Sequence, residues 1–221
     1  MIKFLKCKIE LSKKVFKPRI ETEYWVGKAI KDVRMLKCSN VRVLDVFAGT
    51  GCIGIAILKN IKNANVDFVD ISKEAIEQIK INLKLNKIEQ KRYEIFQSNL
   101  FEKIKGRKYN FIFANPPYVA LNRIGEVQKE VLKKEPSQAL FAGKDGLFWI
   151  KKFLKKAKKY LKKNGKIFME FDPKQKVGIK KILKKDSNPP TTLPSKARAP
   201  KLKFQFKKDQ FKKFRWLKIT I

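Results

Sequence analysis

The stretch IFANPPYVAL, residues 112 to 121, runs an apolar strand straight into Asn115-Pro116-Pro117-Tyr118. Prolines have no N–H and hold φ near −65°, so two in succession stiffen a turn and free the Pro116 carbonyl to point outward. The Asn115 side-chain oxygen is a second acceptor nearby. Two acceptors about one amino group apart can grip both hydrogens of an –NH2, and Tyr118 offers a flat apolar face to a planar group. Alkylating an amide or an aromatic amine has these requirements, because such a nitrogen is planar and its lone pair is delocalised. Accepting both N–H bonds helps the nitrogen pyramidalise and aims its lone pair, an effect of positioning and electrostatic stabilisation. No strong base is needed beforehand, consistent with a chain that has no histidine. A second copy, Asn188-Pro189-Pro190, follows KKILKKDS instead of an apolar strand and has no aromatic after it. It reads as a loop.

Upstream, Gly49-Thr50-Gly51-Cys52-Ile53-Gly54 fits G-x-G-x-x-G between a strand and a helix, with Asp70 standing 19 residues beyond Gly51 at the end of the next strand. This is the layout of a nucleotide-binding Rossmann unit. The glycines let backbone approach a ligand, and the Asp70 carboxylate can accept both hydroxyls of a ribose. Any ribose-bearing cofactor satisfies that pattern. Asp45 lies inside the first strand of the unit, where a carboxylate is costly unless it bonds to backbone amides or to a cofactor ammonium. The second option favours S-adenosylmethionine, whose amino-acid end is zwitterionic. The first has Asp45 only tying down the N–H groups of the glycine loop, and both can hold at once.

Alternating strands and helices position these residues. The segment IKFLKCKIEL within 2–17 reads as a short strand pair. Pro18 precedes a helix with Ile20, Tyr24, Ile30 and Val33 on one face. Strands are expected at 41–49, 65–72, 92–98, 109–115 and 166–172, with helices at 51–61, 73–86 (N-capped by Ser72) and 174–185. Residues 119–143 read as irregular to helical, and 145–165 as one long amphipathic helix closed by Gly165. The Pro/Ser/Thr-rich segment 186–200 reads as a loop, and 201–208 with 213–221 as a closing hairpin. The expected fold is α/β: a Rossmann-like, seven-stranded, mostly parallel sheet with helices on both faces, a C-terminal antiparallel hairpin and a short N-terminal β-hairpin. It forms a single catalytic domain over 1–221, divided into hairpin 1–17, core 18–185, loop 186–200 and final hairpin 201–221.

The chain has 221 residues, 43% hydrophobic and 11% aromatic, enough for a substantial core. No apolar run approaches the ~18 residues of a membrane span, and the N-terminus lacks the apolar centre of a signal peptide. Three cysteines, Cys7, Cys38 and Cys52, stand in no metal spacing, so a reduced, cytoplasmic, metal-free protein is the expectation. The absence of histidine removes imidazole bases and Ser-His triads. The formal charge is +34, but only 8 of the 54 basic residues are arginine, and Lys, Ile, Asn and Phe are abundant as in an AT-rich genome. Lysines occur on nearly every surface segment, so codon bias is favoured over a nucleic-acid role. Such a field still favours polyanions at low salt.

Taken in order, VLDVFAGTGCIGIAIL, FVDIS, QSNLFEK and FIFANPPYV resemble class I S-adenosylmethionine-dependent methyltransferases that act on amino nitrogens. FKPRIETEYWV (16–26) and EVQKEVLKKEPSQALFAGKDGLFWIKKFL (126–154) resemble the bacterial release factor glutamine methyltransferases, the HemK/PrmC family, as do IFMEFDPKQ and KKDQFKKFRWLKI. The resemblance covers residues 2–185 and 204–221. It implies that Asn115, Pro116, Pro117 and Tyr118 hold the glutamine amide of a Gly-Gly-Gln motif in a peptide chain release factor, the protein partner. It implies that Phe47, Ala48, Gly49, Thr50, Gly51 and Asp70 hold S-adenosylmethionine, with Asn99 and Leu100 flanking the adenine. A monomer without membrane association is expected. The family usually has Asp at the position of Asn99, and Glu170-Phe171-Asp172 replaces its Glu-Ile-Gly. Its bacterial members also carry a helical N-terminal domain, whereas this sequence starts almost at the catalytic domain.

A nucleic-acid N-methyltransferase is the competing activity, since Asn-Pro-Pro-Tyr suits the N6 amine of adenine equally. The absence of a separate segment to extrude a base opposes it. A degenerate, basic RNA-binding module would need the loop at 115–118 to be idle. An NAD dehydrogenase comes last, because no proton-transfer residue stands at the strand ends.

Overall fold

The computed structural model describes residues 1–35, 39–187 and 202–221. Seven strands form one sheet in the order β5-β4-β3-β6-β7-β9-β8. They are β3 (Val41–Val46), β4 (Ala64–Asp70), β5 (Tyr93–Gln97), β6 (Tyr109–Ala114), β7 (Leu161–Glu170), β8 (Lys203–Lys208) and β9 (Phe214–Thr220). Strands β3 to β7 pair in parallel, and β9 runs antiparallel to both β7 and β8. The chain winds outward from β3 through β4 to β5, then returns to β6 on the other side of β3. That reversal opens a crevice beyond the carboxyl ends of β3 and β6, where open α/β sheets bind ligands.

Both faces of the sheet are covered, and the strand sequences show why. In β6, Phe111 and Phe113 pack into one core while Ile112 and Ala114 pack into the other. A fully apolar run alternates faces with period two, so it needs cover on both sides. The first core takes α1 (Ile20–Arg34), α2 (Cys52–Asn60), α3 (Lys73–Leu85) and the hairpin of β1 (Ile2–Phe4) with β2 (Cys7–Ile9). The second takes α6 (Phe148–Ala157), α7 (Lys176–Ser187) and residues 100–104. Short helices α4 (Lys129–Lys134) and α5 (Ser137–Leu140) lie between β6 and α6.

An amide ladder on α3 holds the N-terminal segment in place. Asn86 Oδ1 accepts from Lys8 N at 3.0 Å, Asn82 Oδ1 from Glu10 N at 2.8 Å and Gln78 Oε1 from Lys13 N at 2.8 Å. The three amides are four residues apart and therefore share one helix face. The ladder guides residues 14–16 to the crevice. Ser72 caps α3 as expected, its Oγ accepting from Ala75 N at 3.2 Å.

Two expectations need correction. Helix α1 buries Thr22, Trp25, Val26, Ala29, Ile30 and Val33, whereas Ile20 is 61% exposed and Tyr24 is only half-buried. The helix is rotated by the demand of Trp25, which stacks between Phe113 and Trp216 with ring centroids 6.0 and 6.2 Å away. The helix expected over 145–165 spans only Phe148–Ala157, and Gly165 lies inside β7 instead of closing a helix. Tyr160 stacks on Phe101 at 4.4 Å and Leu161 pairs with Tyr109, which draws the chain off the helical path. Asn164 then turns it through a left-handed φ of 61°. The second Asn-Pro-Pro lies outside the described residues, as does the rest of the segment expected as a loop beyond Ser187. No helix of the described residues is long and apolar enough to cross a membrane.

Candidate functional site

A cavity of about 310 Å³ lies at the crevice. The glycine turn closes it from below. Gly51 adopts φ 75°, a left-handed conformation that begins α2 directly after β3 and suits a residue without Cβ. Phe47 and Leu100 also hold left-handed φ, 59° and 53°. For side chains with Cβ such conformations cost about 1–2 kcal/mol each, so the strain sits at the walls of the cavity. Phe47 is wedged edge-on against Trp149, with centroids 6.1 Å apart.

Asp70 ends β4 at the cavity wall. Its Oδ2 accepts from Gly49 N at 2.8 Å and its Oδ1 from Ser72 N at 3.0 Å, so the carboxylate also fixes the turn. Burial raises its pKa above the usual value, opposed by the amides of Ser72, Gly49 and Ile71. Each oxygen keeps a lone pair for a further donor. Asn99 Nδ2 donates to Glu102 Oε1 at 3.0 Å, which leaves the amide oxygen for a ligand.

Asn115, Pro116, Pro117 and Tyr118 leave the end of β6 and line the same cavity. Three separate segments brace that loop. Val119 N donates to Leu140 O and Ala142 N to Val119 O, both at 2.9 Å. Gln175 Nε2 donates to Tyr118 O at 3.0 Å and to Gly146 O at 2.6 Å, while its Oε1 accepts from Asp172 N at 3.0 Å. Gly146 must be glycine here, because a Cβ would lie 2.5 Å from Tyr118 O and φ is +71°.

Behind the loop, Glu170 at the end of β7 is buried, and its Oε2 accepts from Thr22 Oγ1 and Trp25 Nε1, both at 2.7 Å. Burial pushes its carboxyl upward, offset by these two donors and by Arg215. Burial and then the Glu170 charge raise the Tyr118 phenol, which stays neutral at physiological pH. Arg19 Nη2 donates to Glu135 Oε1 at 2.6 Å, tying the segment before α1 to the segment before α5.

Of the residues expected from the sequence, the cavity is lined by Phe47, Ala48, Gly49, Thr50, Asp70, Asn99, Leu100 and the four residues 115–118. Gly51 and Asp45 do not line it. Asp45 is buried behind the turn, where its Oδ2 accepts from Gly54 N at 2.9 Å. Its Oδ1 has no hydrogen-bond partner among the described residues, and burial holds its pKa well above the usual value. The tie to the helix backbone, one of the two readings of this residue, is the contact present.

Phe16, Pro18, Thr22, Pro136, Gln138 and Trp149 also line the cavity, and none of them was expected at the site from the sequence. The signal was present for Thr22, since Pro-Arg-Ile-Glu-Thr-Glu is an unusual opening for a helix. Nothing local marked Gln138 or Trp149, which reach the cavity through tertiary packing.

The donor set fits S-adenosylmethionine. A carboxylate ends the second strand, a glycine turn leaves room for the amino-acid end, and Leu100 with the Asn99 amide supplies an apolar wall and an acceptor for an adenine amine. The methyltransferase small domain family matches residues 33–150. A release factor glutamine methyltransferase of Thermodesulfovibrio yellowstonii is 34% identical over 179 residues, 81% of this chain and 63% of that protein. A bifunctional methyltransferase of Rickettsia conorii is 42% identical over 142 residues, 64% of this chain and 27% of that protein. The chain thus spans between about a quarter and two thirds of the length of these relatives. Among solved structures, the N-terminal domain of human METTL16 in complex with SAH superposes with a TM-score of 0.63 at 15% identity, covering 98% of this chain and 76% of that one. That likeness concerns the fold. The chain belongs to the methyltransferase small domain family, a group whose methyl donor is S-adenosylmethionine.

Proposed function

We propose that the chain transfers a methyl group from S-adenosylmethionine to the side-chain amide nitrogen of the glutamine in the Gly-Gly-Gln motif of peptide chain release factors. The observation that carries this reading is the sharing of one cavity by Asp70 and the Asn115–Tyr118 loop. Relatives named as release factor glutamine methyltransferases, 34% and 36% identical, support the choice of acceptor.

Asp70 would receive the ribose hydroxyls, Asn99 and Leu100 the adenine, and the turn from Phe47 to Thr50 the amino-acid end. When bound, the cofactor supplies an electrophilic methyl on a sulfonium. Asn115 Oδ1 and the Pro116 carbonyl accept the two amide hydrogens, so the nitrogen lone pair faces the methyl. The Tyr118 ring holds the amide plane. The brace from Gln175 and Gly146 fixes the loop backbone in advance, so little ordering is left for the reaction itself. The proton lost from nitrogen after transfer is acidic enough to leave to water without a strong base.

The test is incubation with methyl-labelled S-adenosylmethionine and, in separate tubes, release factors, DNA and rRNA. Label on the glutamine of the Gly-Gly-Gln peptide is the expected result. Label on nucleic acid alone refutes the proposal and assigns an adenine or other base amine as acceptor.

A further inference from the structure

The charge is unevenly placed along the chain. Residues 146–221 carry 25 of the 54 basic residues and 4 of the 20 acidic ones, a net +21 out of +34. Two of those four acids, Glu170 and Asp209, are buried. The helices of this part, α6 and α7, lie together over one face of the sheet, with Phe153, Leu154, Ile179 and Leu183 turned into the core. Their outer surfaces expose Lys152, Lys155, Lys156, Lys180, Lys181 and Lys184. Among the described residues, none of these six makes a salt bridge. Lys151 of α6 pairs with Asp145, and on the other face Glu77 pairs with Lys13 and Asp32 with Lys218. At the cavity end of α6, Phe148 is 45% exposed and meets Trp149 edge-on at 5.1 Å. Lys152 Nζ lies 4.4 Å from the centre of the Phe148 ring and 5.4 Å from that of Trp149.

We propose that the α6–α7 face binds single-stranded RNA, with its lysines on the phosphates and Phe148 as a stacking platform for an unpaired base. Rows of unpaired ammonium groups track a polyanionic backbone without reading its sequence. The shortage of arginine forks fits such sequence-independent contact. An exposed aromatic ring beside lysine is the feature that selects unpaired bases over a closed duplex or an acidic peptide, since every base has a face to stack. Unpaired bases in a cell are chiefly those of RNA. The inference stands on this face alone and does not depend on the methyl acceptor.

The test is fluorescence anisotropy of the full chain with an unstructured, labelled RNA of about 20 nucleotides, between about 50 and 200 mM salt. Duplex DNA, single-stranded DNA and polyglutamate serve as competitors. The variant Lys155→Gln/Lys156→Gln/Lys180→Gln/Lys181→Gln should bind the RNA at least about tenfold more weakly, with a salt slope shallower by about 0.7 for each phosphate that no longer meets a lysine. Phe148→Ala should weaken binding about tenfold with its slope unchanged, because stacking releases no counterions. The control Lys28→Gln/Lys31→Gln/Lys80→Gln/Lys84→Gln, on the other face, should stay within about twofold of the parent. All substituted residues are exposed, and thermal melting confirms that each variant is folded. Equal losses in both lysine variants mean diffuse charge and overturn the proposal. So does competition by duplex DNA or polyglutamate as strong as by unlabelled RNA. An unaffected Phe148→Ala overturns the stacking role, and stronger competition by single-stranded DNA overturns the choice of RNA.

Discussion

Replacing Gly146 by alanine probes the 115–118 loop of the cavity without substituting a residue that lines it. A Cβ at this position would lie 2.5 Å from Tyr118 O and 2.8 Å from Gln175 Nε2, where real contacts essentially never fall below 3.0 Å. The loop carbonyl must therefore retreat by about half an ångström, and the Gln175 amide must shift with it. The left-handed φ of +71° costs alanine a further 1–2 kcal/mol, roughly. Loosening the two hydrogen bonds of Gln175 Nε2, one buried and one part-buried, adds about 1 kcal/mol each at most. The sum is about 1–4 kcal/mol, or a fall in Tm on the order of 2–15 °C for a chain of this size. Displacement of the reacting groups by ~1 Å is worth ~10²-fold in rate, so half that distance should cost about tenfold in kcat. Affinity for S-adenosylhomocysteine should stay within about twofold, because Asp70 and the glycine turn are braced separately. Thermal melting, calorimetry and single-turnover methyl transfer read the three quantities. A lower Tm with an unchanged kcat would refute the claim that the brace positions the loop, and an unchanged Tm would refute the packing argument.

Asn115→Ala should reduce turnover by about 10²-fold, as for one preorganised polar contact, with cofactor affinity retained; near-normal turnover in the labelling assay removes its role. Asp70→Ala should weaken S-adenosylhomocysteine binding about 10- to 100-fold by calorimetry, the worth of a hydrogen bond or two to a charged acceptor. The raised pKa of Asp70 adds a sign: the ionised form accepts the ribose hydroxyls, so affinity falls on acidification and begins to fall above the ordinary carboxylate range. An affinity that stays flat down to about pH 4 contradicts this. Arg19→Ala leaves the Glu135 carboxylate, only 7% exposed, without its partner, and with Arg19 itself 29% exposed the cost should be about 2 kcal/mol. Adding Glu135→Gln should restore most of the lost Tm, and no recovery would mean that the pair is not what stabilises the contact.

The two halves of the cavity differed in how far the sequence exposed them. The glycine turn and Asp70 were legible because strand, turn and helix start are local chemistry, closed within about one βαβ unit, whereas Asn99 and Leu100 came only from the family resemblance. The loop at 115–118 was legible from its own composition. Its bracing was not, since Gln175 meets Tyr118 across 57 residues and Glu170 meets Thr22 across 148. The overlong helix at 145–165 has a similar cause. The lysine spacing of KKFLKKAKKYLKK continues a helical pattern, while Tyr160 and Leu161 are claimed by partners on Phe101 and Tyr109. The bond from Gly54 N to Asp45 was one of two compatible readings open in the sequence, and only the fold brought the two groups together.

The long sequence distance of the Gln175 brace also sets an order of assembly. Strands β3 and β4, the glycine turn and Asp70 belong to one short stretch of chain, and their contacts can close as soon as that stretch is complete. The acceptor loop is itself made at residues 115–118, yet it gains its polar clamp only when the chain has reached residue 175 and β7 has docked beside β6. During synthesis from the N-terminus, the partners that fix Asp70 and the glycine turn therefore emerge well before the partner that clamps the loop at 115–118.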